Sequence, residues 1–305
     1  MSEGSDEQAL ALFRDHRPRL FGIAYRLLGS ATDAEDLLQD AWLRWQAVDH
    51  RDVVDPAAYL ARLVTNLSLN ELDSARVRRE VYVGSWLPEP VLTGGGSALG
   101  LLEDAVQRES VSFALLTLLE RLSPAERAAY VLREAFAYSA REVADLIGTS
   151  EANARQLHAR ARRHLGGEVA QPVDPERWHD LVARFFAAAQ DGDLARLEDL
   201  FAEDVEARAD GGGRVNAARR PVHGRDRVAR YLLGVLQKFA EGLIPALIEV
   251  NGEPALVATA GEELRAVWFF ETDGEVITGL KLVVNPDKLA YAGRQLSRIG
   301  TPSGL

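Results

Sequence analysis

Apolar residues recur at helical spacing through the first half of the chain and at alternate positions through much of the last third. Leu12, Phe13, Leu20, Phe21, Ile23, Ala24, Tyr25, Leu27 and Leu28 mark one long helix face, which Gly29-Ser30 ends. A second helix is predicted in ATDAEDLLQDAWLRWQAV, with Leu37, Leu38, Ala41, Trp42 and Trp45 as its buried stripe and Thr32 and Glu35 as a capping box. Asp33, Asp36, Gln39 and Asp40 are left on its polar face, where the first acids also complement the positive end of the helix dipole. After a loop from Asp52 to Pro56, the segment PAAYLARLVTNLSLNELDSARVRRE predicts a third helix with Arg62, Asn66, Asn70, Arg76, Arg78 and Arg79 at polar positions.

The stretch Tyr138 to Leu165 reads as two helices around a tight turn. Ser139 and Glu142 fit a capping box, Val143, Leu146 and Ile147 give one apolar stripe, Gly148 suits a left-handed helix end, and Thr149 or Ser150 caps the next helix. That second helix places Leu157, Ala161 and Leu165 on one side and Arg155, His158 and Arg162 on the other. A buried face opposite a basic face is the pattern of a DNA-binding helix-turn-helix, although a helical hairpin with a solvated basic surface has the same spacing.

Beyond QPVDPER (Gln171 to Arg177), Trp178, Leu181, Val182, Phe185 and Phe186 predict one amphipathic helix and Leu194 to Phe201 a second. The period then shortens to two. LIPALIEVNGEPALVATAG and ELRAVWFFETDGEVITGLKLVV predict successive strands, with hairpin turns at Asn251-Gly252 and Asp273-Gly274. Helices followed by a curved antiparallel sheet give an α+β cone.

Composition narrows the chemistry. The 305 residues suffice for two or three domains, 47% are hydrophobic and 27% charged, and the polar acidic start MSEGSDEQAL is unlike a signal peptide; a cytoplasmic protein is expected. With no cysteine, disulfides, thiolate catalysis and cysteine-ligated metals are excluded; the six histidines lack metal-ligand spacing, so neither metal nor cofactor is expected. A formal charge of −11 is unusual for a protein that binds DNA unaided. Between Ser150 and Gly166, however, Arg155, Arg160, Arg162 and Arg163 face only Glu151. Such a chain is expected to bind DNA within a larger basic assembly, or after an acidic segment has moved away.

The first helix, then DAEDLLQDAWLRW, then PAAYLARLVTNLSLNEL, resembles region 2 of the sigma-70 family, in particular the extracytoplasmic-function sigma factors, and Ser110 to Leu165 resembles their region 4. WLPEP (Trp86 to Pro90), DGGGR (Asp210 to Arg214) and NPDKL (Asn285 to Leu289) resemble the subgroup with a fused SnoaL-like domain, a fold of the nuclear transport factor 2-like group. The implied order is region 2 in residues 1–80, a linker in 81–109, region 4 in 110–167, a SnoaL-like regulatory domain in 175–290 and a tail in 291–305. Two all-α sigma domains followed by the α+β cone make up the expected fold.

The resemblance implies an alternative sigma factor that binds bacterial RNA polymerase core and directs promoter-specific initiation. Asp33, Asp36, Gln39, Asp40 and Arg44 would dock on the clamp helices of the largest polymerase subunit, and region 4 would also meet the polymerase flap. At the −10 element, Tyr59, Arg62, Asn66 and Asn70 would hold bases and Arg76, Arg78 and Arg79 phosphates, while Glu71 and Asp73 depart from the family and repel the backbone. At the −35 element, Asn153, Arg155, Gln156 and His158 would read bases and Arg160, Arg162 and Arg163 hold phosphates. Trp86, Leu87, Pro88, Glu89 and Pro90 would form a docking peptide for the C-terminal domain, against Asp210, Gly211, Gly212, Gly213 and Arg214 and against Asn285, Pro286, Asp287, Lys288 and Leu289. No membrane and no separate anti-sigma factor would be needed, and a small ligand in the cone remains open.

Two other readings stay in play. Free-standing SnoaL-like proteins include polyketide cyclases and isomerases, so Asp210, Arg214, His223 and Asp226 are candidates for acid-base chemistry. A ligand-sensing helix-turn-helix regulator is the other, but it would have no use for the acidic polymerase-docking helix. The tail residues Tyr291, Leu296 and Ile299 have near-helical spacing and read either as a latch or as a frayed terminus.

Overall fold

Helix α1 (Glu3–Leu28) stops where Gly29 turns into the left-handed region at φ 67°, which reverses the chain in one residue. Ser30 follows in an extended conformation and caps α2 (Ala31–Gln46), its hydroxyl accepting from the Asp33 amide at 3.0 Å. The cap expected at Thr32 therefore lies two residues earlier, because the Gly29 reversal fixes the helix start, and Glu35 pairs instead with Arg17. Leu37, Leu38, Ala41 and Trp45 are buried as their spacing requires, whereas Trp42 is half-buried with its ring 5.2 Å from Phe13. A single 3-10 turn, His50–Asp52, leads to α3 (Pro56–Glu80).

The computed structural model describes residues 3–94, 111–166 and 174–299; the side chains of residues 75–80 lie outside what is described. The chain divides into two compact units, one comprising residues 1–81 and 93–168 and the other 82–92 and 169–305. The first unit continues with α4 (Phe113–Leu119), α5 (Pro124–Glu134), α6 (Ala140–Ile147) and α7 (Glu151–Leu165). The buried Arg127 of α5 donates to the Leu27 carbonyl at the end of α1 and to Glu120, both at 2.8 Å. Arg19 of α1 lies 5.3 Å and 5.1 Å from the ring centres of Phe136 and Tyr138. These contacts, with packing of α3 against α6, join the two helical halves into one body.

In the second unit, α8 (Pro175–Gln190) and α9 (Leu194–Asp199) precede β1 (Phe201–Asp210), β2 (Val222–His223), α10 (Arg225–Phe239), β3 (Ile244–Val250), β4 (Glu253–Ala260), β5 (Glu263–Thr272), β6 (Ile277–Val283) and α11 (Pro286–Ile299). Phe201 opens β1 and does not close α9, since Leu200 already caps that helix. The sheet order is β2-β1-β6-β5-β4-β3. It is mixed where the sequence reading expects an antiparallel sheet: β1 and β6 run parallel, with Ala207 opposite Leu280, because the β3–β6 meander returns its last strand beside the first. Asn251 and Gly252, at φ 55° and 72°, make the two-residue β3–β4 hairpin turn that the sequence marks. Phe185 anchors the core, 6.1 Å from Trp268 and 5.2 Å from Phe270 by ring centres.

The candidate promoter-binding faces and the linker clamp

On α2, the residues singled out for polymerase form one surface. Asp36, Gln39, Asp40 and Arg44 are exposed, and Asp33 is half-buried at the capped end. Leu43 lies among them with 63% of its surface exposed, a residue that polar patterning does not single out. On α3, Tyr59, Arg62, Asn66 and Asn70 follow one another at three- and four-residue steps and so share a face; Arg62 and Asn70 are exposed, while the Tyr59 ring leans on Trp45 at 5.6 Å. Exposed Asp73 continues that line. Arg76, Arg78 and Arg79 belong to the last turns of α3, where side chains lie outside what is described.

The helix-turn-helix forms locally as the sequence dictates. Ser139 and Glu142 cap α6 reciprocally, Gly148 ends it at φ 70°, and Ser150 caps α7 by accepting from the Asn153 amide at 3.2 Å. Ala154, Leu157, Ala161 and Leu165 are buried, which turns Arg155, Gln156, Arg162 and Arg163 to solvent. Asn153 also donates to the Thr149 hydroxyl at 2.8 Å. Several basic groups already hold acids: Arg155 pairs with Glu151, His158 with Glu134 at 2.6 Å, and Arg160 with Glu126 at 3.5 Å. Arg133, Arg155 and His158 border one polar hollow beside the start of α6.

Residues 82–92 lie along the second unit, held by a knot of buried polar groups. Asp210, at the end of β1, has no exposed surface. Its two carboxylate oxygens accept from the Tyr82 hydroxyl at 2.6 Å, the Gly212 amide at 3.0 Å, the Leu87 amide at 2.8 Å and the Lys288 ammonium at 2.7 Å. Lys288 also donates to the Leu87 carbonyl and sits 4.0 Å above the Trp86 ring. Burial, then the hydrogen bond to Asp210, pushes the Tyr82 phenol up, so it remains a donor at any physiological pH.

The neighbouring motif residues complete the knot. Asn285 donates to Tyr82 at 3.0 Å and caps α11 by accepting from the Asp287 amide at 3.1 Å. Gly212 takes φ 57°, and a Cβ there would run into the Asn285 amide; one on Gly211 would meet the Val215 carbonyl, and one on Gly213 the Val83 side chain. Arg214 reaches the exposed Asp287 at 3.2 Å. Leu87, Pro88, Glu89 and Pro90 are buried and Trp86 is half-buried. Further along, Val91 exchanges hydrogen bonds with Asn251 at 3.1 Å and 2.8 Å, and Leu92 with Gln295 at 2.9 Å and 3.1 Å.

Tyr82, Asn251 and Gln295 belong to this arrangement, and the sequence reading does not assign them to it. Tyr82 lies two residues past the end of α3, Asn251 is recognisable only as a turn residue, and Gln295 is an ordinary polar position of an amphipathic helix. Tyr291, Leu296 and Ile299 all lie on α11, with Leu296 buried and Ile299 half exposed; residues 300–305 lie outside what is described, as do 95–110 of the glycine-rich stretch.

The four acid-base candidates are not brought together. Asp210 is committed to the linker, Arg214 to Asp287, His223 lies 3.4 Å from Glu206 on an open edge, and Asp226 pairs with Arg230 at 2.6 Å. None of the four lines the large cavity of this unit. Among the described residues no group of three or more histidines and carboxylates gathers to hold a metal, and no helix is long and apolar enough to cross a membrane.

Two helical DNA-binding halves and an α+β domain that holds the segment joining them define a class of modular initiation factor, and the comparisons agree. Residues 12–78 match Sigma-70 region 2, residues 112–165 match Sigma-70 region 4 and residues 182–278 match a SnoaL-like domain. The chain belongs to the extracytoplasmic-function RNA polymerase sigma factors: as such it binds polymerase core and promoter DNA and directs transcription initiation as an alternative sigma factor. Among its relatives is the ECF RNA polymerase sigma factor SigJ of Mycobacterium tuberculosis, 41% identical over 308 aligned positions that cover 96% of each protein. The probable ECF RNA polymerase sigma factor SigI of the same species is 30% identical over 286, covering 92% of this chain and 94% of the relative. The crystal structure of SigJ superposes with a TM-score of 0.74 at 37% identity, covering 92% of this chain and 98% of that one.

Proposed function

We propose that the SnoaL-like unit controls initiation by holding the segment between the two sigma halves. The observation that carries this reading is the Asp210–Lys288 knot, which saturates both the amide and the carbonyl of Leu87. Promoter elements read by the two halves lie more than one helical turn of about 34 Å apart, so the halves must separate on polymerase. Contacts of Arg127 with Leu27 and of Arg19 with Phe136 keep them together, and a held linker opposes their separation.

In the active assembly, Asp33, Asp36, Gln39, Asp40 and Arg44 dock on the polymerase clamp helices, with Leu43 as an apolar contact at their centre. The Tyr59, Arg62, Asn66 and Asn70 face takes the −10 element, with Arg76, Arg78 and Arg79 on its phosphates. Asn153, Arg155, Gln156 and His158 enter the groove at −35, with Arg160, Arg162 and Arg163 on the backbone, once Glu151, Glu134 and Glu126 give up their partners. Because the hold is part of the chain, a separate anti-sigma factor is not required, and the place of action is that of polymerase, the cytoplasm. Asp210, Arg214, His223 and Asp226, the candidates for acid-base chemistry, stand apart with separate partners.

Run-off transcription with purified core polymerase and a genomic promoter library tests this reading. Gln295→Ala removes two hydrogen bonds to Leu92 and leaves the knot intact, so it should raise specific initiation, as should ending the chain near Leu289; ending it near Gly167 also removes the surface that orders residues 82–92, a positive contribution of the same unit, and should abolish initiation. Initiation that is unchanged by all three would sink the proposal. No initiation by any version, with duplex binding by the chain alone, would favour the ligand-sensing regulator.

A further inference from the structure

Behind the turn that holds the linker, the second unit contains a half-open cavity of about 800 Å³, within the range of roughly 300–1,000 Å³ that receives drug-sized molecules. Small residues create the space: Ala258 of β4 and Ala266 of β5 stand opposite each other on the sheet and both line it. Phe185, Phe186, Trp268 and Leu282 supply apolar wall. The charged lining residues, Glu263 and Arg265, pair with each other at 2.8 Å and are more than half exposed, so neither offers an uncompensated charge. Tyr231 is the half-buried polar group; its oxygen accepts from the Ala218 amide at 3.4 Å, and among the described residues nothing takes its proton. Burial raises the Tyr231 phenol, which keeps that proton in place.

We infer that this cavity is a receptor site for a neutral, largely apolar small molecule with one hydrogen-bond acceptor that Tyr231 addresses, and that its occupancy tightens the hold on the linker. The second part rests on the proposed role of the linker clamp. Coupling is built into residues 284–289: Val284, Pro286 and Leu289 line the cavity, while Asn285 and Lys288, between them, grip Tyr82 and Leu87. A molecule that fixes Pro286 and Leu289 also fixes the turn that carries the grip. Ligands that bind only the closed form suppress its local opening.

The test uses the full chain and N-phenylnaphthylamine, a neutral aromatic amine whose fluorescence rises in apolar surroundings. One saturable site is expected, weakened about tenfold or more by Ala258→Phe and, separately, by Ala266→Phe, which fill the cavity from different strands. Thermal unfolding identifies a variant that fails to fold, and the other then carries the test; Tyr231→Phe gives a third readout by weakening the binding of ketone competitors. Anilinonaphthalene sulfonate, of similar shape but anionic, should bind roughly tenfold more weakly for want of a cation. Absence of saturable binding, equal binding by the filled variants, or sulfonate binding as tight as the neutral probe overturns the site. With the probe bound, amide exchange at Leu87, Val91 and Leu92 should slow; unchanged or faster exchange overturns the coupling. Neither readout involves polymerase, so a failure here is distinct from a failure of the transcription test.

Discussion

The carboxylate–cation pair at Asp210 and those along α7 are the same kind of interaction in opposite surroundings. Asp210 is fully buried and the Lys288 side chain is 8% exposed, whereas Arg155 and Glu151 are 67% and 43% exposed. An exposed pair contributes about 0–1 kcal/mol and is easily traded for another partner. A buried pair whose every lone pair is used has little to gain by rearrangement, yet removal of one member leaves a charge stranded at a cost of about 3–5 kcal/mol. In the function proposed above, the α7 surface exchanges glutamates for phosphates and the Asp210 knot holds or releases the linker as a whole.

The sharpest way to break this contrast is Asp210→Ala. It strands Lys288 and leaves the Leu87 amide and Tyr82 hydroxyl without their acceptor, so urea unfolding of the SnoaL-like unit should lose about 3–5 kcal/mol. Amide exchange through residues 82–92 should accelerate in the same variant. A loss below about 1 kcal/mol would put the knot in the same class as a surface pair and end the comparison. Gly212→Ala should come next, at about 1–3 kcal/mol for a side chain forced into the left-handed region, with added crowding of Asn285. Thermal unfolding at an unchanged temperature would show that the turn accommodates a Cβ and that the glycines of DGGGR serve another purpose.

These two sites also mark the limit of what the chain discloses before it folds. The helix-turn-helix is legible because its signals are local: the bonds made by Ser139, Glu142, Gly148 and Ser150 each reach a residue no more than four positions away. The hairpin at Asn251-Gly252 was legible for the same reason. Sequence pattern places the α2 cap at Thr32 and the fold uses Ser30, because the two offer equivalent hydroxyls and only the reversal at Gly29 selects between them. The expected helix runs one residue into β1 because Leu194 to Phe201 keeps helical spacing across the boundary, and the parallel partner of β1 lies 70 or more residues away. Family resemblance supplied the three motifs of the knot, but Tyr82 and Gln295 escaped it. Their partners stand 128 and 203 residues distant, and nothing in their own neighbourhoods announces a long-range bond.

On the exposed side of the comparison, Arg162→Ala should leave stability within about 0.5 kcal/mol, because the side chain is solvent-facing. In the polymerase holoenzyme it should weaken promoter binding almost uniformly across sequences and lower the salt dependence by about one counterion. A change confined to particular base pairs would assign Arg162 to base reading and place phosphate contact elsewhere on α7. Such a result would sharpen the division of labour along the helix without disturbing the fold.

The smallest effect belongs to the α6 cap. Ser139→Ala removes the acceptor of the Glu142 amide and should cost about 1 kcal/mol, typical of a lost N-cap hydroxyl. Hydrogen bonds from Ser139, with help from Arg19, hold the Glu142 carboxyl below its ordinary value of 4.5. A depressed carboxyl stabilises the fold fully above that value, and its contribution disappears as pH falls through the lower folded-state pKa. Stability of the first unit should therefore decline on acidification below about pH 4.5, and less steeply in Ser139→Ala, where the cap that favours the carboxylate is incomplete. Unfolding curves measured at a series of acidic pH values decide it: parallel acid limbs for the two proteins would mean that Glu142 is held down by the residue-139 backbone amide and Arg19, and that the Ser139 hydroxyl contributes geometry without electrostatics.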